Sequence, residues 1–522
     1  MKIAFLIHNV YGINGTIRTV VNLAGELAGR HEVKIASVFR HRACPRFGVD
    51  SRVRLTPLVD TRPGHETDHP LAGKSSRMFP ASEGRYSQYS RLTDERITAW
   101  LASTDADVVI GTRPELNVML ARYGPRNAIR IGQEHLTLDG HRSALRAQLR
   151  RCYPFLDAMV TVTDADAAAY RALMPSMRVA AIHNSVPQPQ VAPSDGTSRV
   201  VVAVGRLAPG KRFDLLVDAF AKVAAERPDW QLRIYGRGPH LGVIQVRIDY
   251  HSLNENVHLM GMHASMEAEW AKGAIAAVGS SSESFGMTIV EAMRCGPPVV
   301  STDCPLGPRD IIRHRQDGFL VPVGGTEALA DAQLRLINDD RTRKQMARFA
   351  WEGACRFDPG TIAARHETLL GNLVQAQQAL PGHIKAVRYR LRAAHTAVSY
   401  TAAESLLKTA RRAKHSAHAS AAEPSLRRRS HRMGFRNENA QQSGVLVPSY
   451  RYLASALASL TRPSKRHWNQ ESACPNRMMK EQSEESWCRY LYCENCGRTE
   501  YAESSGDGQV TCFRCGEVDE ER

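Results

Sequence analysis

No apolar run in this 522-residue chain reaches the ~18 residues that a membrane-spanning helix requires. A bilayer span is therefore not expected. The opening MKIAFLIHNV is apolar but short, and it runs into a Gly-containing turn with no small-residue cleavage site, so it reads as a first strand rather than a leader. Cysteine is sparse before residue 380. Cys44, Cys152, Cys295, Cys304 and Cys355 are scattered, the pattern of reduced thiols in a cytosolic protein rather than of a disulfide framework. The cytoplasm is the expected compartment.

A hydrophobic content of 43% over this length is compatible with two or three filled cores and excludes disorder throughout. The net charge of +16 would suggest nucleic acid if it were evenly spread. It is not. Residues 1–380 carry 46 Lys/Arg against 38 Asp/Glu, residues 381–470 carry 17 against 3, and residues 471–522 carry 6 against 12. The excess belongs to one stretch of the tail, and nucleic acid is not an expected partner.

Residues 1–190 alternate short apolar runs with helix-period segments. Strands are expected at 3–7, 33–38, 108–111, 129–132 and 159–163, with helices at about 16–28 and over DADAAAYRAL. After the Pro-rich VPQPQVAPSDG at 186–196 the alternation restarts, with strands near 199–205, 231–235, 257–260, 274–279, 298–301 and 319–321, and helices from about 327 to 380. Strand alternating with helix predicts α/β architecture, a parallel sheet covered on both faces, here twice: a domain at 1–190 and a second at 198–380. The segment from Thr61 to Tyr89 is polar and rich in Gly, Pro and Ser, and reads as a long, mobile surface insertion. Residues 381–470 are a basic linker. Within it, 384–414 has the pattern of a basic amphipathic helix, which fits an anionic membrane surface and equally a solvated linker, and 415–470 has the composition of disorder.

Chemistry concentrates in SSSESFGMTIVEAMRCGPPVVSTDCPLGP, from Ser280 to Pro308. A strand ends at Gly279, a polar loop carries Glu283, and a helix starts near Gly286 and contains Glu291. The unpaired N–H groups and positive dipole end of that helix suit an anion at Ser284, Phe285, Gly286, Met287 and Thr288. Glu283 and Glu291 would stand roughly 12 Å apart on a continuous helix, a span for two ends of one extended ligand rather than for one shared proton. Upstream, VAVGRLAPGKR sets Gly205 and Arg206 at a strand's carboxyl end with Lys211 five residues on, two cations placed to hold a diphosphate leaving group.

The Glu, seven residues, Glu arrangement in ESFGMTIVEAM, with its neighbours, resembles the signature of retaining family-4 glycosyltransferases of the GT-B fold, and the resemblance extends over about residues 1–375. It implies two Rossmann-like domains facing across a cleft, with the donor held mainly on the second. By this resemblance Glu291 holds the ribose hydroxyls, Glu283 contacts the donor sugar, and Arg206 and Lys211 grip the diphosphate. YGINGTIRTVVNLA, with Gly12 and Gly15 turning into a helix, would be the loop that closes over the donor phosphate or meets the acceptor. This chain has Gly15 followed by Thr16 where many members have two adjacent glycines. His135 in QEHLTLDGH stands where members often carry a histidine facing the donor sugar. Asp139, His141 and Arg142 are acceptor-contact candidates. No D-x-D triplet occurs in the donor region, so catalysis without a metal is expected.

The tail ends in CENCGRTEYAESSGDGQVTCFRCG. Cys493, Cys496, Cys512 and Cys515 form two C-x-x-C pairs fifteen residues apart, a spacing that suits four thiolates around Zn²⁺ and resembles a zinc ribbon at 488–522. This module is acidic, which favours a protein partner over a phosphate backbone. Cys474 and Cys488 fall outside the pattern.

The expectation is a retaining hexosyltransferase moving a sugar from a UDP- or GDP-linked donor to a hydroxyl acceptor, glycan or lipid-linked, in cell-envelope or polysaccharide synthesis. It would be cytoplasmic, with peripheral contact to the inner membrane face through 384–414, and its only metal would be structural zinc in the tail. Two rivals stand beside it: an inactive scaffold recruiting a protein through its tail, and a sugar-nucleotide epimerase of the same two-domain architecture.

Overall fold

The computed structural model describes residues 1–263 and 265–380, the single positions 382 and 387, and four strands of the tail. The basic helix at 384–414, apart from Val387, and the disorder expected at 415–470 lie outside the described residues, as do Cys474, Cys496 and Cys515.

The first sheet has seven parallel strands: β1 (Lys2–Asn9), β2 (Glu32–Arg40), β3 (Arg54–Asp60), β4 (Val108–Gly111), β5 (Ile129–Glu134), β6 (Ala158–Thr161) and β7 (Val179–Ala181), in the order β3-β2-β1-β4-β5-β6-β7. The second has six: β8 (Val200–Val204), β9 (Gln231–Tyr235), β10 (Val257–Gly261), β11 (Ile275–Val278), β12 (Val299–Thr302) and β13 (Gly318–Val321), in the order β10-β9-β8-β11-β12-β13. Strand order reverses direction twice, between β1 and β4 and between β8 and β11. Crevices at such switch points, beyond the carboxyl ends of the strands, are where open α/β sheets bind ligands.

The central strands are apolar along their whole length because helices cover both faces. In β1 the six residues from Ile3 to His8 are buried and only the end at Asn9 is half-buried, which leaves almost no polar exposure. The helix that follows, Gly15–Leu27, is capped by Asn14, whose side chain accepts from the Ile17 amide at 2.9 Å. Its Ile17, Val20, Val21, Ala24 and Leu27 recur at helical spacing and pack under the sheet with Ile3, Phe5 and Ile35.

Two features differ from the sequence reading. The segment 61–89 is not a loose insertion. Ser76 and Glu83 are buried, Phe79 stacks on a buried Tyr89 at 3.7 Å between ring centroids, and the Ser76 hydroxyl donates to Asp94 at 2.6 Å. Its few aromatics supply the anchoring that its Gly, Pro and Ser content hid. The final helix of the expected second domain, Pro359–Ala379, also packs elsewhere: Ile362, Ala363, Leu370 and Leu373 join the core beneath the first sheet, and Arg30 pairs with Glu367 at 2.7 Å. The chain thus crosses from the second domain back to the first. Strands β3 and β7 were not foreseen either; the first is mostly half-exposed and contains a proline, and the second is three residues long.

In the tail, β14 (Cys488–Cys493), β15 (Arg498–Ser504), β16 (Gln509–Cys512) and β17 (Val518–Glu520) form an antiparallel sheet in that order. Cys493 pairs with Arg498 and Cys512 with Ala502, four residues further along β15, or about 13 Å.

Candidate active site

At the second switch point the loop after β8 and the loop after β11 are tied together. The Ser281 amide donates to the Gly210 carbonyl at 2.9 Å. A short 3-10 turn, Pro209–Lys211, ends at Arg212 in the left-handed region with φ 48°, and the helix Phe213–Glu226 begins there. This brings the Lys211 ammonium to 2.5 Å from the Glu283 carboxylate. The Ser280 hydroxyl donates to the same carboxylate oxygen at 2.7 Å, and the Ser280 carbonyl accepts from Thr302 at 2.5 Å. A Cβ on Gly205 would stand 3.4 Å from the Phe213 ring and 4.0 Å from the Lys211 side chain, whereas Arg206 is exposed and has no ion-pair partner among the described residues.

Gly286 opens the helix Met287–Arg294 with φ 103°, a left-handed conformation that turns the chain from the Glu283 loop into the helix and leaves the first amides without intrahelical partners. The neighbouring Gly307 is equally constrained: a Cβ there would lie 1.9 Å from the Phe285 carbonyl oxygen. Phe285 is buried beneath this turn.

Glu291, four residues into that helix, receives the guanidinium of Arg18 from the first domain at 2.9 Å. Burial pushes the Glu291 carboxyl up and Arg18 opposes the push. Gly15, on the same first-domain helix, lies against Met287: a Cβ on Gly15 would stand 3.9 Å from the Met287 side chain. Gly15, Arg18, Met287 and Glu291 therefore meet along one seam between the domains, and the Lys211–Glu283 pair lies in the loops that lead into the second-domain helix. Arg18 was not foreseen. A cation near the amino end of a helix, where the dipole favours anions, was the available sequence signal.

His135 is placed differently. It follows β5, is buried, and both ring nitrogens lack hydrogen-bond partners, so no hydrogen bond joins it to residues 205–291. Burial, then Arg113, then His366 depress it to about 3. His366, from the returning helix, is likewise buried and lowered to about 4. Of the other first-domain candidates, Asp139 pairs with Arg146 at 3.1 Å at the surface and Arg142 is exposed. His141 is buried 3.7 Å from Glu134; burial works against its charged form, but the Glu134 carboxylate outweighs it and the imidazole is raised.

A buried polar network lies at the first switch point, beyond β1 and β4. His8 meets the Tyr89 hydroxyl at 2.6 Å, Tyr89 donates to Glu115 at 2.9 Å, Arg113 donates to Glu115 at 2.7 Å, and Arg113 approaches Glu83 at 3.4 Å. The reading of 61–89 as an insertion concealed it. Where the domains meet, Asp164, His183 and Asp310 bring one ligand atom each within 4.8 Å of the others, a geometry able to take a metal ion, and the Asp164 amide donates to Asp310 at 3.0 Å. No helix among the described residues is long and apolar enough to cross a membrane.

Comparison with known proteins fits this two-domain cleft. Residues 187–352, which hold the second switch point, match the family described as glycosyl transferases group 1. The fold is that of its GT-B relatives. An exopolysaccharide phosphotransferase of Streptomyces coelicolor is 34% identical over 388 residues, 72% of this chain, of which the chain spans only 41%. The amylovoran biosynthesis glycosyltransferase AmsD of Erwinia amylovora is 24% identical over 377 residues, 71% of this chain and 99% of that protein. Among solved structures, Anabaena HepE in complex with UDP and glucose superposes with a TM-score of 0.55 at 19% identity, covering 70% of this chain and 99% of its own.

Proposed function

We propose that the chain is a retaining hexosyltransferase of family 4, transferring a sugar from a UDP- or GDP-linked donor to a hydroxyl acceptor in polysaccharide or cell-envelope synthesis. The observation that carries it is the cradle at the second switch point: Lys211 on Glu283 at 2.5 Å, beside an open helix start and a second carboxylate, Glu291, on the following helix. Arg206, Lys211 and the amides at 286–288 neutralise the diphosphate as its charge grows, Glu283 orients the sugar, and Glu291 takes the ribose hydroxyls once Arg18 releases it. His135, held neutral at physiological pH by burial, faces the donor sugar. The C1–O bond to the β-phosphate breaks while the acceptor oxygen bonds C1 on the same face, and the acceptor proton passes to the leaving phosphate. No D-x-D triplet lies in the donor region at 205–291 to clamp that diphosphate through a divalent ion, and two cations and a dipole perform the same neutralisation. Incubation with labelled donors tests the proposal by product: nucleoside diphosphate and a retained anomeric configuration are expected, and an inverted product or no turnover refutes it.

One observation favours a second reading, the name of the Streptomyces relative. Transfer of a sugar phosphate would release a nucleoside monophosphate instead, so the same assay separates the two.

The tail cysteines belong to the proposal as a structural zinc site. Cys493 and Cys512 end strands that run the same way, four residues out of step on β15, and a module with so small a core would fold around its ion. One zinc per chain, lost in Cys512→Ser, is expected; no zinc in protein purified without chelator contradicts it. Peripheral membrane contact through 384–414 and a protein partner for the tail complete the proposal.

A further inference from the structure

At the first switch point one cation is left without an acceptor. Arg85 sits in the turn between Glu83 and Tyr89, and its amide is held by the Glu83 carboxylate. Glu83 in turn approaches Arg113, and Tyr89 bonds both His8 at the end of β1 and Glu115 at the start of the helix after β4. Four contacts thus fix the turn that carries Arg85 at the carboxyl edge of the first sheet. Its half-buried guanidinium, by contrast, makes no hydrogen bond or ion pair with any described residue, whereas Arg113 beside it has both Glu115 and Glu83. Burial and the Arg113 charge destabilise the Arg85 cation, and Glu115, Tyr89 and Glu83 offset only part of this. The same two arginines, after burial, hold His8 well below its ordinary value. A planar five-donor fork whose own donors are unpaired, beside an arginine that already holds both neighbouring glutamates, is suited to bidentate recognition of an oxyanion.

We infer that Arg85 is the anion-recognition residue of the acceptor site, and that the acceptor is a glycan bearing a phosphate or a carboxylate. This rests on the transferase reading above, which puts the donor on the second domain and leaves the first switch point to the acceptor. The oxyanion takes up the free Arg85 donors, and the sugar hydroxyl to be glycosylated reaches from it toward the seam at Gly15 and Met287. Arg85 is not a catalytic residue in this role; it positions the acceptor.

Calorimetry on the full chain saturated with UDP tests the inference with glucose 1-phosphate, glucuronate and glucose as probes. At least one charged sugar is expected to bind well and glucose poorly. Arg85→Ala should weaken the charged sugar by roughly tenfold or more, as loss of a charge-assisted hydrogen-bonded pair does, with Arg85→Lys between. Preference for glucose 1-phosphate assigns a phosphorylated acceptor, and preference for glucuronate a uronic acid. Equal affinity for glucose and both charged sugars, or unchanged binding in Arg85→Ala, overturns the inference while UDP binding leaves the transferase reading standing. Failure of the wild-type chain to bind either UDP or GDP removes the reading itself.

Discussion

Replacing Lys211 by Ala separates what this residue does for the fold from what it does for the reaction. In the structure its ammonium lies 2.5 Å from Glu283, with the lysine side chain 29% exposed and the glutamate 8%. Breaking a fully buried ion pair costs ~3–5 kcal/mol, because a charge is left stranded. Here solvent reaches the lysine side and Ser280 still donates to the carboxylate at 2.7 Å. Discounted for that screening, the loss is ~1–2 kcal/mol, or a few degrees in melting temperature for a domain of this size. The catalytic loss is larger. Withdrawing one preorganised positive charge from a departing diphosphate costs roughly 10²–10³ in kcat. Nucleotide release from a UDP- or GDP-sugar, followed beside a thermal melt, reads both quantities. The double variant with Glu283→Gln should regain most of the stability and none of the turnover. A Lys211→Ala protein that turns over within about threefold of the wild type would refute the placement of the diphosphate at this lysine.

Three further outcomes follow from the same geometry. Arg18→Ala frees Glu291 from a partly exposed ion pair worth ~0.5–1 kcal/mol, so UDP or GDP should bind about two- to fivefold more tightly by calorimetry; weaker binding would mean that Arg18 itself holds the nucleotide. Gly15→Ala places its methyl at an ordinary 3.9 Å from Met287 and should retain activity, whereas Gly15→Phe wedges the domains apart and should lower kcat at least tenfold; equal activity of the two would contradict the closed seam. Acid should destabilise the fold through its buried, depressed histidines. His135 and His366 are depressed to about 3 and about 4, so the unfolded chain takes up protons that the fold refuses, and stability present above pH 6.5 is lost progressively as pH falls below it. At pH 5 the two together cost ~4 kcal/mol, against which Asp166, raised to about 6, returns ~1.4 kcal/mol. Denaturant melts at pH 7.5 and pH 5 should show a loss of ~2–3 kcal/mol from these three groups, of which His366→Leu removes ~2 kcal/mol, and a flat profile in the wild type would contradict the buried neutral state.

How much of this was legible in the sequence depended on whether a residue's partner lay nearby in the chain. Helix Gly15–Leu27, helix Asp164–Leu173 and strand Gln231–Tyr235 were readable because apolar period and capping are local. Glu283 and Glu291 stand in one short motif, and Lys211 follows a strand end at the second switch point, so the donor cradle could be assembled from neighbours. The first-domain site could not. Arg18 reaches Glu291 across 273 residues of chain, and Tyr89 reaches His8 across 81. The segment 61–89 has a loop's composition, yet Phe79 and Tyr89 anchor it to a hydrophobic face formed by distant strands. The helix Pro359–Ala379 was legible as a helix, but its choice of the first domain over the second is a tertiary decision, made by Ile362 and Leu370 finding the underside of β1.

The most direct test of the donor cleft is a structure of the chain with UDP or GDP bound. The diphosphate should lie against Lys211 and the helix start at Gly286 and Met287, with the ribose hydroxyls on Glu291 and Arg18 displaced from it. A nucleotide bound elsewhere, or one that leaves Lys211 and Glu291 untouched, would contradict the assignment.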